Sequence, residues 1–181
     1  SDYNALRVVV IDDGSTDHTA TSVRSACGSD PRLRILTQRN GGKFNALHHA
    51  YTLIDTEIVV GIDADTVVHK DAVRKLVRHF QDPTVGAVAG NVQVGNKHSL
   101  MNRLQSIEYV TAQNIDRRAA EVLNGILVVP GSIGAWRREA VAKAGFYSSQ
   151  TLAEDADLTV SIIRAGYRVV FEEEALASTE A

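Results

Sequence analysis

Cysteine and long apolar runs are scarce in this sequence of 181 residues. The single cysteine, Cys27, cannot form an internal disulfide, and no paired Cys-x-x-Cys spacing indicates a metal site, so a cytosolic setting is allowed. The longest uncharged stretch, which includes Ile126–Trp136, is shorter than the roughly 20 apolar residues that a membrane-spanning helix needs, and it contains Pro130. The sequence therefore predicts neither a disulfide scaffold nor a spanning helix.

The chain also lacks a block of one charge and a leader segment. Its 19 basic and 22 acidic residues are spread along the whole length and give a formal net charge of −3. Such a distribution excludes binding to nucleic acid or to an anionic membrane by charge alone, and no nucleic-acid partner is expected. No basic-then-apolar signal peptide precedes the first strand-like segment, and we expect this abrupt start to be a cut.

Strand-like and helix-like segments alternate along the first half of the chain. Arg7–Ile11 consists of β-branched residues after Arg7 and stops at Asp12–Ser15, which predicts a strand buried on both faces that opens into a turn. Thr16 or Asp17 is expected to cap a helix that ends near Ala26. This alternation predicts an α/β fold with parallel strands. The further predicted elements are strands at Leu33–Leu36, Glu57–Ile62 and Val85–Ala89, and helices at Lys43–Leu53 and Lys70–Phe80.

The second half has a different pattern but no linker. Apolar residues recur at helical spacing over Ser99–Val122, which predicts a long amphipathic helix that covers the sheet. No stretch rich in proline, glycine or serine supports an internal domain boundary, so one domain is expected. The elements predicted after the long helix are strands at Ile126–Val129, Ile133–Trp136 and Arg168–Phe171, and helices at Arg138–Ala144 and Glu154–Ala165.

Three acidic clusters fall at strand ends or at the start of a helix: Asp12–Asp13, Asp63–Asp65 and Glu154–Asp155. The carboxyl ends of strands line the ligand crevice of open α/β sheets, so the first two clusters are expected to converge on one site. Each cluster alone has an equal interpretation as a helix cap or a solvated turn. Three together favour a functional site.

The middle cluster predicts a metal site. Residues two apart in a strand point to the same side, so Asp63 and Asp65 after the strand Glu57–Ile62 are expected to share a hard cation. A pair of carboxylates without histidine or cysteine suits Mg²⁺ or Mn²⁺, which stabilise a departing diphosphate.

The order of four motifs resembles that of family 2 glycosyltransferases over essentially the whole chain. The motifs are Asp12–Asp17 after a strand, Gly41–Leu47, Asp63–Asp65 and Ala153–Thr159. The likeness is greatest to processive β-glycan synthases of the poly-N-acetylglucosamine, chitin, hyaluronan and cellulose type. Val129–Ala140 is similar to the Gly-Ser stretch of bacterial exopolysaccharide synthases, which favours the poly-N-acetylglucosamine branch.

This resemblance implies a GT-A fold, which is a Rossmann-like mixed, mainly parallel sheet flanked by helices, with its first strand missing here. Residues 1–98 would form the nucleotide-sugar-binding half of one partial catalytic domain, and residues 99–181 the acceptor-side half. The implied activity is inverting transfer of N-acetylglucosamine from UDP-N-acetylglucosamine to a glycan acceptor, a growing β-linked polysaccharide.

On the nucleotide side, the resemblance assigns four carboxylates and one lysine. Asp13, or its neighbour Asp12, would accept hydrogen bonds from the uracil or ribose of the donor. Lys43 follows two glycines that let the backbone come close to a ligand, and it would lie near the diphosphate as a cationic donor. Asp65 would hold the metal, and Asp63 would contact both the nucleoside and the metal.

On the acceptor side, Asp155 would be the general base. An α-linked donor attacked in line by a hydroxyl gives a β-linkage in one displacement when a carboxylate takes the proton, so no second carboxylate is required as a nucleophile. Glu154 and Asp157 are then expected to cap the helix or to support the base from behind it. Gly131 and Ser132 would shape the donor or acceptor pocket, with a plain tight turn as an equal alternative.

Two family features are absent from the sequence: a first strand and helix ending in a Pro-x-Tyr-Asn-Glu-like loop, and a later Gln-x-x-Arg-Trp motif. The flanking membrane helices of processive synthases also lie outside this chain. We therefore expect a soluble fragment with weak or no transferase activity, taken from a protein at the cytoplasmic face of the inner membrane.

Other interpretations account for fewer of the motifs. Ile62–Val67 also resembles the Asp-x-Asp motif of haloacid-dehalogenase-like phosphohydrolases, with Asp63 as nucleophile and Ser132 as the later hydroxyl. A module that binds nucleotide sugar without catalysis is a further alternative, and a receiver-like domain fits less well. His48 and His49 point about 100° apart on a helix and make poor joint metal ligands. Trp136 is expected in the core rather than against a sugar.

Overall fold

The computed structural model describes residues 1–94, 120–146 and 153–179, which group into two compact units. The smaller unit is Asn4–Asp55, and the larger one comprises Ser1–Tyr3 with Thr56–Ala181. Each unit has its own sheet.

The smaller unit is a β-α-β-α segment, as its alternating pattern predicts. Its elements are β1 (Val8–Asp12), α1 (Thr19–Cys27), β2 (Leu33–Thr37) and α2 (Gly42–Leu53). The two strands pair in parallel over their full length. α2 buries Ala46, Ala50 and Tyr51 on one face. The Asp17 carboxylate accepts a hydrogen bond from the first backbone N–H of α1, that of Thr19, at 2.9 Å.

The larger unit contains a five-stranded mixed sheet in the order β3-β6-β5-β7-β4. β5 and β7 pair in parallel, and the other neighbouring pairs are antiparallel, so β3, β5 and β7 run in one direction while β4 and β6 run in the other. Its elements are β3 (Ile58–Gly61), β4 (Thr66–Val68), α3 (Ala72–Arg78) with a 3-10 turn at His79–Gln81, β5 (Val85–Val94), β6 (Gly134–Arg137), α4 (Arg138–Lys143), α5 (Glu154–Arg164) and β7 (Arg168–Thr179).

The main core of the larger unit lies between this sheet and α3. Leu76 of α3 is fully buried and belongs to one apolar cluster with Val88 of β5 and Ala177 of β7. Truncating a buried leucine such as Leu76 to alanine costs about 2–5 kcal/mol, because part of the cavity persists. α3 is therefore fixed against β5 and β7. Ile58 and Val60 of β3 and Val68 of β4, the strands that precede and follow the acidic turn at Asp63–Asp65, pack against the same cluster.

Among the described residues of the larger unit, two charged side chains are buried, and both have partners. Arg137 donates to the backbone carbonyls of Val85, Phe80 and Asp82 at 2.9–3.1 Å and to the Glu57 carboxylate at 2.6 Å. These bonds tie the end of β6 to the segment before β5. Buried charge is tolerated here because nearly every donor is satisfied.

Glu172 of β7 is the second buried charge, with 3% of its surface exposed. Its Oε2 accepts hydrogen bonds from Arg78 Nη2 at 2.5 Å and from His79 Nε2 at 2.7 Å, and its Oε1 accepts one from the Glu174 backbone at 3.0 Å. Burial raises the pKa of Glu172, but the bonds from His79, from the Glu174 backbone and from Arg78 outweigh it and leave the pKa below its ordinary value.

Some elements differ from the sequence-based predictions. The predicted strand at Ile126–Val129 is wrong: this segment is irregular, and the Val129 N–H donates to the Thr159 hydroxyl rather than to a strand. β4 and the second half of β7 form strands that the pattern did not predict. The predicted helix Ser99–Val122 lies mostly outside the described residues, which include only its helical end at Ala120–Val122. None of the helices in the described ranges is long and apolar enough to cross a bilayer.

Candidate functional site

Asp13 lies at the carboxyl end of β1, in the smaller unit, and holds the loop that begins α2. Its Oδ1 accepts hydrogen bonds from Gln38 Nε2 at 2.7 Å and from the Gly41 N–H at 3.0 Å, and its Oδ2 accepts one from the Gly42 N–H at 2.8 Å. The bond from Gln38 lowers the pKa of Asp13 most, followed by that from the Gly41 amide; desolvation opposes them, and the Gly42 amide adds a smaller lowering effect. The carboxylate is thus ionised and fixed in one orientation.

Asp12 is buried at the last position of β1 and shapes the following turn. Its Oδ1 accepts a hydrogen bond from the Ser15 N–H at 2.9 Å, and its backbone carbonyl accepts one from the Gln38 N–H at 3.0 Å. Gly14, which lies between Asp12 and Ser15, has φ +76°, and a Cβ at this position would lie 2.6 Å from the backbone nitrogen of Asn40. Only glycine fits such a turn, because both the backbone angle and the space exclude a side chain.

Lys43 is in the first turn of α2, directly after the two glycine amides that Asp13 holds. Its side chain is exposed. Gly42 adopts φ +83°, a conformation that favours glycine and brings the backbone N–H toward Asp13. The strand-end carboxylate, the glycine turn and the lysine therefore belong to one connected structure within the smaller unit.

Asp63 and Asp65 lie in the larger unit, in the turn between β3 and β4. The Asp63 carbonyl accepts a hydrogen bond from the Thr66 N–H at 3.1 Å, which closes a four-residue turn, and Asp65 Oδ1 accepts one from the Thr66 hydroxyl at 3.2 Å. Strand alternation, which we used to predict that the two side chains share one side, does not apply in this turn. Asp65 is exposed, and Asp63 is half-buried.

The chemistry of this turn suits a hard divalent cation that is only partly held by protein. Carboxylate oxygens are the ligands that Mg²⁺ and Mn²⁺ prefer. Within residues 1–94, 120–146 and 153–179, no group of three or more potential ligand side chains forms a closed metal cage. Two carboxylates with room for further oxygen ligands fit a cation that also binds a phosphate-bearing substrate.

Asp155 lies in the first turn of α5 and contacts the turn before β6. Its Oδ2 accepts a hydrogen bond from the Gly131 N–H at 2.8 Å. Thr159, one turn later on α5 and fully buried, donates its hydroxyl to the Asp155 carbonyl at 2.6 Å and accepts the Val129 N–H at 3.0 Å. Two backbone amides of the 129–131 segment are therefore attached to α5, so that Asp155 and Gly131 have a fixed separation.

The remaining predicted site residues surround Asp155. Glu154 and Asp157 share its helical turn, where acidic side chains favour the positive end of the helix dipole, and Ser132 is half-buried in the turn that Gly131 begins. Trp136 is buried, as expected for a core residue. Its ring packs closely against Gly61 and Gly134: a Cβ added to Gly61 would lie 2.8 Å from the ring, and one added to Gly134 would lie 2.5 Å from it.

Within each unit the structure brings some of the predicted residues together: Asp13 meets the glycine turn before Lys43, and Asp155 meets Gly131. Two residues that support them, Gln38 and Thr159, were missed by the sequence reasoning. For Thr159 a signal existed, because a threonine four residues after an aspartate on a helix can bond back to its carbonyl. For Gln38 no local pattern indicated a contact 25 residues away along the chain.

Comparison with known proteins gives consistent results. The model of the family "Glycosyl transferase family 2" matches residues 1–145. Poly-beta-1,6-N-acetyl-D-glucosamine synthase of Staphylococcus aureus is 29% identical over 171 residues, which are 94% of this chain and 42% of that protein. The Staphylococcus epidermidis synthase of the same name is 27% identical over 176 residues, 97% of this chain and 43% of the relative. This chain thus spans less than half the length of these relatives.

Among solved structures, one example is similar over nearly the whole chain. It is the mannosyltransferase PcManGT from Pyrobaculum calidifontis, in complex with GDP-Man and Mn²⁺, with a TM-score of 0.75 and 26% identity. The match covers 96% of this chain and 47% of the mannosyltransferase. The fold expected from the sequence motifs is thereby confirmed.

Proposed function

The chain belongs to glycosyl transferase family 2, and from this premise we propose that it carries the catalytic centre of an inverting glycosyltransferase. The donor is a UDP-sugar, UDP-N-acetylglucosamine by preference, and the acceptor is the end of a growing β-linked polysaccharide. Two relatives named as poly-N-acetylglucosamine synthases support this choice of sugar and product. Residues 1–98 serve nucleotide-sugar binding and residues 99–181 serve the acceptor.

The observation that carries the proposal is the contact of Asp155 with Gly131. A general base must have a fixed orientation, and the Gly131 N–H holds one carboxylate oxygen at 2.8 Å while the α5 helix fixes the backbone. In the proposed reaction, Asp155 takes the proton of the acceptor hydroxyl. The hydroxyl oxygen then forms a bond to the anomeric carbon as the bond from that carbon to the diphosphate oxygen breaks and UDP leaves.

Asp63 and Asp65 are the residues proposed to hold the divalent metal. The ion would supply positive charge at the diphosphate as the leaving group departs. The exposure of Asp65 and the partial exposure of Asp63 support this role, because Mg²⁺ and Mn²⁺ in such sites also bind phosphate oxygens and water. The mannosyltransferase of similar fold was solved with Mn²⁺ and a nucleotide sugar, which supports Mn²⁺ or Mg²⁺ for this chain.

Asp12, Asp13 and Lys43 are proposed to form the nucleotide side of the site. Asp12 ends β1 and Asp13 follows it, at the edge of the sheet where ligands of α/β folds bind, and Lys43 supplies an exposed cation for the diphosphate. Gly131 and Ser132 border the base and shape the sugar pocket, and Glu154 and Asp157 support the first turn of α5. A membrane attachment would come from segments outside this chain.

Calorimetry with UDP and UDP-N-acetylglucosamine, with and without Mn²⁺, tests the donor site on this chain. We expect Mn²⁺-dependent binding that Asp65→Ala abolishes and Asp155→Asn leaves within about twofold, because Asp155 serves the acceptor. In the full-length gene product, Asp155→Asn keeps an acceptor oxygen for the Gly131 N–H but lowers kcat by about 10²-fold or more, because the base is lost. Glu139→Gln, in the first turn of α4, is the matched control and keeps wild-type turnover.

Three results would contradict parts of the proposal. If UDP does not bind the full-length gene product with either metal, the transferase assignment is wrong. If UDP binds but no sugar is transferred, the protein is a nucleotide-sugar-binding module. Release of phosphate from an aryl phosphate that depends on Asp63 would instead favour the phosphohydrolase, which the family membership does not support.

A further inference from the structure

Two side chains of the smaller unit form a hydrogen-bonded chain that ends on Asp13. Gln38, one residue past the end of β2, donates from Nε2 to Asp13 Oδ1 at 2.7 Å. His49, on α2, places Nδ1 2.8 Å from Gln38 Oε1. Neither Gln38 nor His49 has a role in the proposed reaction, so their arrangement requires a separate explanation.

The chemistry of the three groups fixes the direction of this chain. An ionised carboxylate only accepts hydrogen bonds, so Gln38 must present its NH₂ group to Asp13 and its carbonyl oxygen to His49. The His49 Nδ1 must then carry a proton, which is true of one neutral tautomer and of the charged ring. The chain runs from His49 through Gln38 to Asp13 in both protonation states of the histidine.

Asp13, held by Gln38, in turn holds the glycine turn before Lys43. The same oxygen that Gln38 contacts also accepts the Gly41 N–H, and the other oxygen accepts the Gly42 N–H. Without Gln38, the Asp13 side chain would lose its only side-chain partner among the described contacts and would be held by the turn alone. The turn and the carboxylate would then fix each other less firmly.

On the basis of the proposed function, we propose that Gln38 and His49 are positioning residues for the UDP part of the donor. They hold Asp13, and through it the Gly41–Gly42 turn, in the single shape that receives the nucleotide. Gln38 acts directly on Asp13, and His49 acts by selecting the orientation of the Gln38 amide.

Calorimetric titration of the 181-residue chain with UDP and Mn²⁺ tests this proposal. Gln38→Leu removes the donor at similar size, and we expect UDP to bind about tenfold more weakly, in the range of a hydrogen bond to a charged group. His49→Ala should weaken binding about threefold and have no further effect in the Gln38→Leu background. His48→Ala is the matched control, and it should bind UDP like the wild type.

Two further measurements separate positioning from a general loss of structure. The pKa of Asp13, followed by carboxyl ¹³C NMR, should rise toward its ordinary value in Gln38→Leu, because the largest lowering contact is lost. Gln38→Glu should bind UDP poorly at pH 7.5, because two carboxylates repel. Relative to wild type at the same pH, its affinity should recover as pH falls toward 5, because repulsion by Asp13 raises the pKa of the new carboxyl and its protonated form donates to Asp13.

The outcomes are distinguishable. Wild-type UDP affinity in Gln38→Leu, or no recovery of Gln38→Glu at low pH, would overturn the positioning role of Gln38. An effect of His49→Ala that persists undiminished beside Gln38→Leu would overturn its action through Gln38. If the wild-type chain and the full-length gene product both fail to bind UDP, the proposed function falls and this role falls with it, even where the NMR result shows the Gln38–Asp13 bond.

Discussion

Replacing Thr159 by valine tests how α5 is attached to the turn beside it. Valine has nearly the shape of threonine, so packing in this fully buried position is kept while the hydroxyl is lost. The Asp155 carbonyl loses one donor but retains its ordinary helical hydrogen bond. The Val129 N–H, however, loses its acceptor at 3.0 Å in a buried place.

The expected loss of stability comes from the Val129 N–H, which is left without an acceptor. A buried donor left unsatisfied costs about 1–3 kcal/mol, and the extra methyl of valine offsets only a part of it. We therefore expect the free energy of unfolding to fall by about 2 kcal/mol, which lowers Tm by roughly 4–8 °C for a chain of this size. Urea unfolding is conveniently followed by the fluorescence of Trp136, the only tryptophan in the sequence, which is buried in the same unit.

Thr159→Ser is the control for this experiment. Serine keeps the hydroxyl and loses one methyl group, so it should cost about 1 kcal/mol or less of cavity and transfer free energy. The two variants should differ, with valine the less stable. Equal stability of wild type and Thr159→Val, or a serine variant that is less stable than the valine variant, would refute the hydrogen bond as the link between α5 and the 129–131 segment.

Three other perturbations have defined outcomes. Gly134→Ala places a Cβ 2.5 Å from the Trp136 ring, so thermal unfolding should show a loss of about 1–3 kcal/mol, and an unchanged Tm would refute that packing. Arg137→Met leaves three buried carbonyls without their donor, so the free energy of unfolding in urea should fall by about 3–5 kcal/mol. Arg137→Lys should lower it less, because lysine keeps a charged group that can donate. Glu172→Gln should cost about 1–3 kcal/mol near pH 7. Because the pKa of Glu172 is lowered from its ordinary value of 4.5, the stabilisation is complete above that value and is lost as pH falls. The unfolding free energies of the wild type and Glu172→Gln should therefore converge between about pH 5 and 3. A difference that widens over this range would contradict the ion pair.

Local pattern was sufficient to predict the elements whose hydrophobic period is strong. The run Val8–Ile11 predicts a strand, which the structure contains, but its predicted burial is wrong, since Val8 is exposed and Val9–Ile11 are half-buried. The acidic first turn at Glu154 marks the start of α5. The second half of β7 could not be read in this way, because Glu172–Glu174 looks like a solvated charge run. It forms a strand because Arg78 and His79, distant in sequence, neutralise and bond the buried Glu172.

In the candidate site, too, some features follow from local sequence and others depend on tertiary contacts. Motif order predicted site roles for Asp13, Lys43 and Asp155, and in the structure each lies beside a strand end or at a helix start. Their roles stay predictions. The alternation of side chains along a strand does not explain how Asp63 and Asp65 could act together, because both residues lie in a hydrogen-bonded turn. Partners such as Gln38 depend on tertiary contacts, which a single sequence does not specify.

The short strand β4 follows the turn of Asp63 and Asp65 and lies at the edge of the sheet as described, where it pairs with the end of β7. Thr66, Val67 and Val68 pair with Thr179, Ser178 and Ala177, more than a hundred residues later in the chain. Closing such a long loop is slow, because chain entropy is lost before any contact compensates for it. During synthesis from the N-terminus, β1 and β2 can pair as soon as Thr37 has left the ribosome, whereas the proposed metal-binding turn acquires its neighbouring strand only after residues 177–179 have emerged. A nascent chain would therefore complete the strand pair beside Asp13 before the turn of Asp63 and Asp65 has its neighbouring strand, and the metal-dependent binding of UDP proposed above would begin only when both are in place.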